Sequence, residues 1–374
     1  MTHEPGGAGV AGEHVATTAA EAGHGRRVGA RLPPVSDTDG PTGHALIASL
    51  RRTIDSVLGP LLEGARSVAL LDFPNHNNVG DSAIWLGEAR YLRSAGIRIG
   101  CVCDLTAYPN QKVAARIGSR TILIHGGGNL GDLWSAHQQF REAVIAASPR
   151  NRIIQLPQTI HFRDRANLAR ARLVFDAHPD LTLLVRDRAS LDLARNEFRA
   201  RSLLCPDMAF AIGPVAMPRS PTGDVVWLKR TDLESAGAKL EGRETAGVEI
   251  CDWLCYEATA PMRLADWLDS QIARHPRLLG PLGRARPPVY GRVAADRVRA
   301  GQGLLSRGRV VVTDRLHGHI LSLLMGIPHV LLDNSYGKLR HFYETWTRRC
   351  PLVHWAESPS EALELARSVA GSVC

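Results

Sequence analysis

A chain of 374 residues is long enough for two ordinary domains with real apolar cores. Its apolar share of 44% is that of a folded globular protein, and aromatics at 5% give no hint of a base-stacking surface for nucleic acid. Lys and Arg number 45 against 37 Asp and Glu, a net charge of +8 spread along the chain, which suits anionic substrates, nucleic acid or an acidic membrane surface alike, or reflects an Arg-rich composition alone. The seven cysteines lack metal spacing: Cys101 and Cys103 alternate on an expected strand, and Cys251 and Cys255 have no second pair. That odd count argues for reduced thiols and a cytosolic setting. No run of about 18 apolar residues occurs, so no membrane span is expected; the best candidate, 320–332, is interrupted by Gly326, Pro328 and His329.

Residues 1–43 are rich in Gly, Ala, Thr, His and charge, carry no apolar signal region, and are expected to be disordered. A helix is expected over 45–62, then a strand over 67–73, a polar loop to Asp81, a helix over 83–95 and a strand over 97–104. Strands at 120–125, 152–157, 181–186 and 203–206 follow, with helices at 134–147 and 188–198 between them. A break at 213–223 holds three prolines and two glycines. A second region opens with a strand at 224–228. Residues 256–308 are rich in Pro and Arg, and only 262–274 reads as a helix. Strands at 309–313 and 329–332 and helices at 318–325 and 338–346 complete it, and Ser358-Pro359-Ser360-Glu361 is a capping box for a last helix. This alternation implies an α/β fold, two Rossmann-like domains facing a cleft, with boundaries 1–43, 44–213, 214–223, 224–355 and 356–374.

The polar motifs fall at carboxyl ends of strands, where open α/β sheets bind ligands. The loop Asn75-His76-Asn77-Asn78-Val79-Gly80-Asp81-Ser82 can present backbone N–H groups to a ligand, although a plain N-cap by Asp81 or Asn78 explains it equally well. In His125-Gly126-Gly127-Gly128-Asn129-Leu130-Gly131-Asp132, Gly126, Gly128 and Gly131 satisfy G-x-G-x-x-G. The motif follows a later strand and the next strand ends without an acid, which disfavours a nicotinamide site and leaves a close backbone approach to some ligand. Arg186 could clamp an anion or form a solvated pair with Asp187. Lys229-Arg230-Thr231-Asp232 repeats the pattern in the second half. The sharpest motif is Thr313-Asp314-Arg315-Leu316-His317-Gly318-His319. A cation beside an imidazole at a helix N-terminus is electrostatically expensive without an anion, so His317 is expected to be functional and His319 structural. Asp333-Asn334-Ser335-Tyr336-Gly337-Lys338 adds a further cation.

At these residues the chain resembles the polysaccharide pyruvyl transferase family. The resemblance rests on Asn78-x-Gly80-Asp81, Gly126-Gly127-Gly128-Asn129, Arg186-Asp187-x-x-Ser190, Arg315-Leu316-His317-Gly318, Gly326-Ile327-Pro328 and Ser335-Tyr336-Gly337-Lys338, in order from about residue 68 to 345. It implies a glycosyltransferase-B-like fold and a reaction in which phosphoenolpyruvate, a co-substrate with no cofactor besides, places a pyruvate ketal on a sugar of a cell-surface glycan. By motif, the family's important Arg and His fall on Arg186, Arg315 and His317. Residues 1–43 and 275–308 have no counterpart, and acceptor specificity is expected in the latter.

Phosphoenolpyruvate carries a carboxylate and a phosphate, which guanidinium groups bind bidentately. Arg186 and Arg315 are the expected clamp, helped by Arg230 or Lys338, with Asn78, Gly80, Asp81, Gly127, Gly128 and Asn129 around the donor. His317 is the expected acid or base, and no metal is expected. The acceptor is expected to be a glycan or lipid-linked oligosaccharide, not nucleic acid, met in the cytoplasm, with peripheral contact at the inner membrane face. The rivals are a GDS-type serine esterase using Ser82, Asn129 and His317, and a nucleotide-sugar glycosyltransferase needing an acid such as Asp333 or Glu344. A glycan-binding module would leave Arg315 and His317 without a task.

Overall fold

The computed structural model describes residues 42–105, 111–232, 234, 245–254, 258–275 and 282–372. The expectation for residues 1–43 thus lies almost wholly outside the described residues, as do Cys255 and most of 275–281. Description opens on Thr42, whose hydroxyl accepts from Ala45 N and caps helix α1 (Gly43–Leu61).

Two parallel sheets follow. The first holds β1 (Ser67–Phe73), β2 (Arg98–Asp104), β3 (Thr121–Ile124), β4 (Gly127–Gly131), β5 (Ile153–His161), β6 (Leu181–Val185) and β7 (Arg201–Leu204). Its order is β2-β1-β3-β5-β6-β7, with β4 paired to the far part of β5. The second holds β8 (Gly223–Leu228), β9 (Val248–Cys251), β10 (Gly308–Thr313), β11 (His329–Leu331) and β12 (Val353–Trp355), ordered β12-β11-β10-β8-β9. The interior strands are apolar runs because both faces are covered. In β1, Val68, Leu70 and Phe73 face one cluster and Ala69 and Leu71 the other.

The helices between the sheets bury a single core shared by both. Ile47 and Ile54 of α1, Ile84 and Trp85 of α2 (Val79–Ser94), Leu70 of β1, Leu228 of β8 and Val311 of β10 all belong to one apolar cluster. On the outer face of the first sheet, Leu71, Ile122 and Ile124 meet Phe140 and Val144 of α4 (Ser135–Ala147) and Phe175 of α5 (Arg165–Asp176). Helices α3 (Gln111–Ile117), packed on β2, and α6 (Arg188–Glu197), packed on β5, β6 and β7, complete the first half. The described residues form one compact unit.

The α/β character and the order of the main elements agree with the sequence reading; several pieces differ. The Pro/Arg-rich stretch contains α8 (Arg286–Leu305), a helix of 20 residues that follows α7 (Ala260–Arg274). Pro287 and Pro288 sit in its first turn, where a missing N–H costs nothing. Its arginines are buried on partners: Arg286 on Asp269, and Arg297 on the carbonyl of Pro74 at 2.7 Å. Over 286–305, the segment expected to tune acceptor choice is therefore a core helix. The glycine loop is partly strand β4, with Gly127 and Gly131 at φ 134° and 136°. The helix α5 and strand β9 escaped the periodicity. At the start of α11 (Pro359–Ser372), Ser358 Oγ accepts from Glu361 N at 3.2 Å, while the Glu361 carboxylate reaches Glu357 N, one residue earlier than in a capping box.

A tight approach between helix and turn lies at Gly87 of α2, where a Cβ would lie 1.9 Å from the carbonyl oxygen of Met208 in the 3-10 turn Met208–Ile212. Gly87→Ala is expected to cost about 1–3 kcal/mol by overpacking. Denaturant unfolding checks this, and a loss within about 0.5 kcal/mol, the range of ordinary surface changes, would show that this contact is loose.

Candidate functional site

The carboxyl ends of both sheets border a cavity of about 360 Å³. The first sheet contributes His76, Asn78 and Asp81 after β1, Gly128 and Asn129 of β4, and Arg186 after β6. The second contributes Arg230 and Asp232 after β8, Trp253 after β9, and Arg315 and His317 after β10 at the start of α9 (Leu316–Met325). Lys338 joins them as the first residue of α10 (Lys338–Phe342); Trp134, His137 and Glu234 also line the space. Of the residues expected at the site, Asn78, Asp81, Gly128, Asn129, Arg186, Arg230, Arg315, His317 and Lys338 line this cavity, and Gly80 and Gly127 do not. Gly80 stands behind His317, where a Cβ would lie 2.4 Å from Nδ1, and Gly127 stands beside Asp81.

The first half supplies a rigid floor. Asn78 caps α2, accepting from Gly80 N at 2.9 Å and donating to Asp81 Oδ2 at 2.9 Å. Asn129 Oδ1 accepts from Arg141 at 2.7 Å and from Gln158 at 2.9 Å. Asp72, near the end of β1, adopts φ 69°, the sole non-glycine positive φ among the described residues, and its carboxylate lies 3.1 Å from His137 Nδ1. Such strain persists only where surrounding contacts enforce it.

The cations are held by carboxylates that the sequence reading did not assign to them. Arg186 is fully buried and does not pair with Asp187. Its Nε donates to Thr159 Oγ1 at 3.0 Å and its Nη1 to Asp207 Oδ2 at 2.6 Å, while Nη2 has no partner. Asp187 instead caps α6, accepting from Ser190 N. Arg315 forks onto Asp252 at 2.8 and 2.7 Å and lies 3.3 Å from Asp232. The anion that the Arg315–His317 pair was expected to require thus comes, for Arg315, from the protein itself. Arg230 pairs with Asp232 at 2.5 Å and Glu234 at 2.7 Å, and Lys338 lies 3.4 Å from Glu234. His317 Nε2 is 3.3 Å from Asp207 Oδ2, an ion-pair distance without hydrogen-bond alignment.

Burial pushes Asp207 up, but His317 and Arg186 outweigh it and hold the carboxyl well below its usual range. For Lys338, burial together with Arg186 and Arg230 outweighs Glu234 and brings the ammonium down to about 8. Burial raises Asp314 to about 6, even though it accepts from Arg230 N at 2.8 Å. His319 is structural, as expected: its Nδ1 lies 2.6 Å from His329 Nε2 and its Nε2 3.1 Å from the Thr347 hydroxyl. Among the described residues, no three His, Cys, Asp or Glu side chains stand where they could share a metal ion, and no helix is long and apolar enough to cross a membrane.

The rival readings do not assemble. Ser82 is fully buried with its hydroxyl unpartnered, Asp314 is engaged by Arg230 N, and the carboxylate beside His317 is Asp207. Asp333 lies 3.6 Å from Arg340, Glu344 is exposed, and neither lines the cavity. The residues that sequence reasoning missed are Asp207, Asp252, Glu234, His137, Trp134 and Trp253. Their one available signal was a polar or aromatic residue shortly after a strand, and for Asp252 and Trp253 that strand, β9, had gone unread.

The polysaccharide pyruvyl transferase family profile matches residues 78–336, from the Asn78 cap to the turn before Lys338. The chain belongs to the polysaccharide pyruvyl transferase family. Its relatives include pyruvyl transferase 1 of Schizosaccharomyces pombe, 34% identical over 306 residues, which span 77% of this chain and 72% of that protein. EpsO of Bacillus subtilis, provisionally named a pyruvyl transferase, is 30% identical over 320 residues, or 85% of this chain and 96% of its own. A crystal structure of an uncharacterised Klebsiella pneumoniae protein shares the fold with a TM-score of 0.56 at 20% identity, covering 83% of this chain and 99% of that one.

Gly128 is tightly enclosed at the cavity: a Cβ there would lie 2.2 Å from Lys338 Nζ and 2.9 Å from Arg186 Nη2. Gly128→Ala is expected to displace the ammonium and weaken binding of a small dianion by roughly tenfold, about 1.4 kcal/mol, with little change in melting temperature. Calorimetry with phosphoenolpyruvate checks it; unaltered affinity would show that these two cations do not hold the ligand.

Proposed function

We propose that the chain transfers the enolpyruvyl group of phosphoenolpyruvate to two hydroxyls of one sugar in a cell-surface polysaccharide or its precursor, forming a pyruvate ketal and releasing phosphate. The observation that carries this reading is the buried, unpartnered Nη2 of Arg186 beside the Lys338 ammonium at Gly128, with the His317 imidazole lining the same cavity. An unsatisfied buried guanidinium nitrogen is costly, and an anionic ligand relieves it. Arg230 and Arg315, already forked onto carboxylates, border the rest of the donor. We read the two sheets as Rossmann-like halves of a glycosyltransferase-B-like body, with the acceptor entering where their carboxyl ends meet. The net charge of +8 suits an enzyme working in the cytoplasm against the anionic inner membrane face on a lipid-linked or polymeric acceptor.

The chemistry follows from an imidazole beside an enol phosphate. His317 gives a proton to the methylene carbon, leaving an oxocarbenium-like centre at C2. A sugar hydroxyl attacks C2 and its proton returns to the imidazole. The C2–O bond to phosphate then breaks, phosphate leaving with the bonding pair. The second hydroxyl closes the ketal, and its proton departs with the phosphate. The cationic wall steadies the phosphate charge as it is released.

The decisive experiment is calorimetric binding of phosphoenolpyruvate together with phosphate release over a panel of glycan acceptors. Binding of a nucleotide diphosphate in place of phosphoenolpyruvate would defeat the proposal. His317→Ala is expected to lower kcat by about 10²–10⁴-fold while phosphoenolpyruvate affinity stays within a few-fold; unchanged turnover would remove the imidazole from the chemistry. The pH dependence has a definite sign. The Lys338 ammonium is charged below about 8 and neutral above it, so donor affinity is highest below that pH and falls as pH rises through it. In Lys338→Ala that limb should vanish; its persistence would assign it to another group.

A further inference from the structure

We infer that Asp207 is a positioning residue for the transfer, its single oxygen Oδ2 setting the donor clamp of the first half and the imidazole of the second in one geometry. The inference rests on the roles proposed above for Arg186 and His317. Asp207 has no solvent exposure and divides its two oxygens by task. Its Oδ1 accepts from Ala209 N at 2.9 Å and caps the 3-10 turn Met208–Ile212. Its Oδ2 lies 2.6 Å from Arg186 Nη1 and 3.3 Å from His317 Nε2. The turn beneath it is wedged against Gly87 of α2, so the carboxylate is fixed in position.

Two consequences follow for the reacting groups. With Nε on Thr159 and Nη1 on Asp207, the guanidinium plane of Arg186 is fixed and Nη2 is left wholly unengaged, so its aim is settled before the donor arrives. For His317, a carboxylate facing Nε2 keeps the proton on that nitrogen and leaves Nδ1 to exchange protons with substrate. Nδ1 packs against Gly80, where a Cβ would collide with the ring, so the glycine sets how close the imidazole stands to α2. The 3.3 Å separation is of the loose kind that tightens when substrate fills a site.

Asp207→Asn keeps the volume and the Oδ1 cap, but sets an N–H donor against two donors. It is expected to lower kcat roughly 100-fold, within the usual weight of a positioned proton-transfer group, and to weaken phosphoenolpyruvate binding about tenfold through Arg186. A double-mutant cycle separates positioning from mere stability. In a His317→Ala background, the same substitution should change kcat by less than about threefold, since there is no longer an imidazole to orient. Equal losses in both backgrounds, or an unchanged kcat in the single variant, overturn the inference. If Asp207→Asn does not fold, Asp207→Ser, which removes the charge without adding an opposed donor, enters the same cycle. Full turnover in His317→Ala alone sinks the role of the imidazole, and with it this inference; slow turnover there with additive losses sinks the role of Asp207 only.

Discussion

Four cationic side chains surround one small cavity because carboxylates are interleaved among them. Two unit charges 6 Å apart interact by roughly 3 kcal/mol at an effective dielectric near 20, so bare guanidinium groups in this space would drive the halves apart. Asp207 answers Arg186, Asp252 answers Arg315, Asp232 and Glu234 answer Arg230, and Glu234 also serves Lys338. Loss of any buried carboxylate leaves a charge uncompensated, which typically costs about 3–5 kcal/mol. For the proposed donor this leaves a narrow opening: the free Nη2 of Arg186 and the ammonium beside it, not the whole positive wall.

The shared core makes this balance durable. Leu228 and Val311 of the second sheet lie in the same apolar cluster as Leu70 and Phe73 of the first, with helices from both halves between them. The partners of each cluster of charges are thereby held at fixed spacing. Arg186, after a strand of the first sheet, and His317, after a strand of the second, both reach Asp207.

The sequence was most legible where periodicity and chemistry coincided. Val310, Val311 and Val312 announce a buried strand, so the residues after it, Arg315 and His317, fall at a predictable edge. The fold class followed from the same alternation. The distant counter-ions were illegible because such pairing leaves no local mark: Asp252 meets Arg315 across 63 positions and Asp207 meets Arg186 across 21. Asp187, whose pairing with Arg186 was the alternative to an anion clamp, caps a helix instead. Helix α8 was missed in a stretch rich in Pro and Arg: its two prolines fall in the first turn, which tolerates them, and Arg286 and Arg297 are buried rather than solvated.

The bond between Arg297 and the Pro74 carbonyl joins residues 223 positions apart. During synthesis, the loop that carries Asn78 can be drawn into its final place only after α8 has left the ribosome. Until then the nascent first half presents Phe73, Trp85 and Ile84 without the helix that covers them, an apolar face that invites chaperones or premature association. Late closure of this kind keeps the site unformed, and the chain unable to act on its substrates, until nearly the whole polypeptide exists.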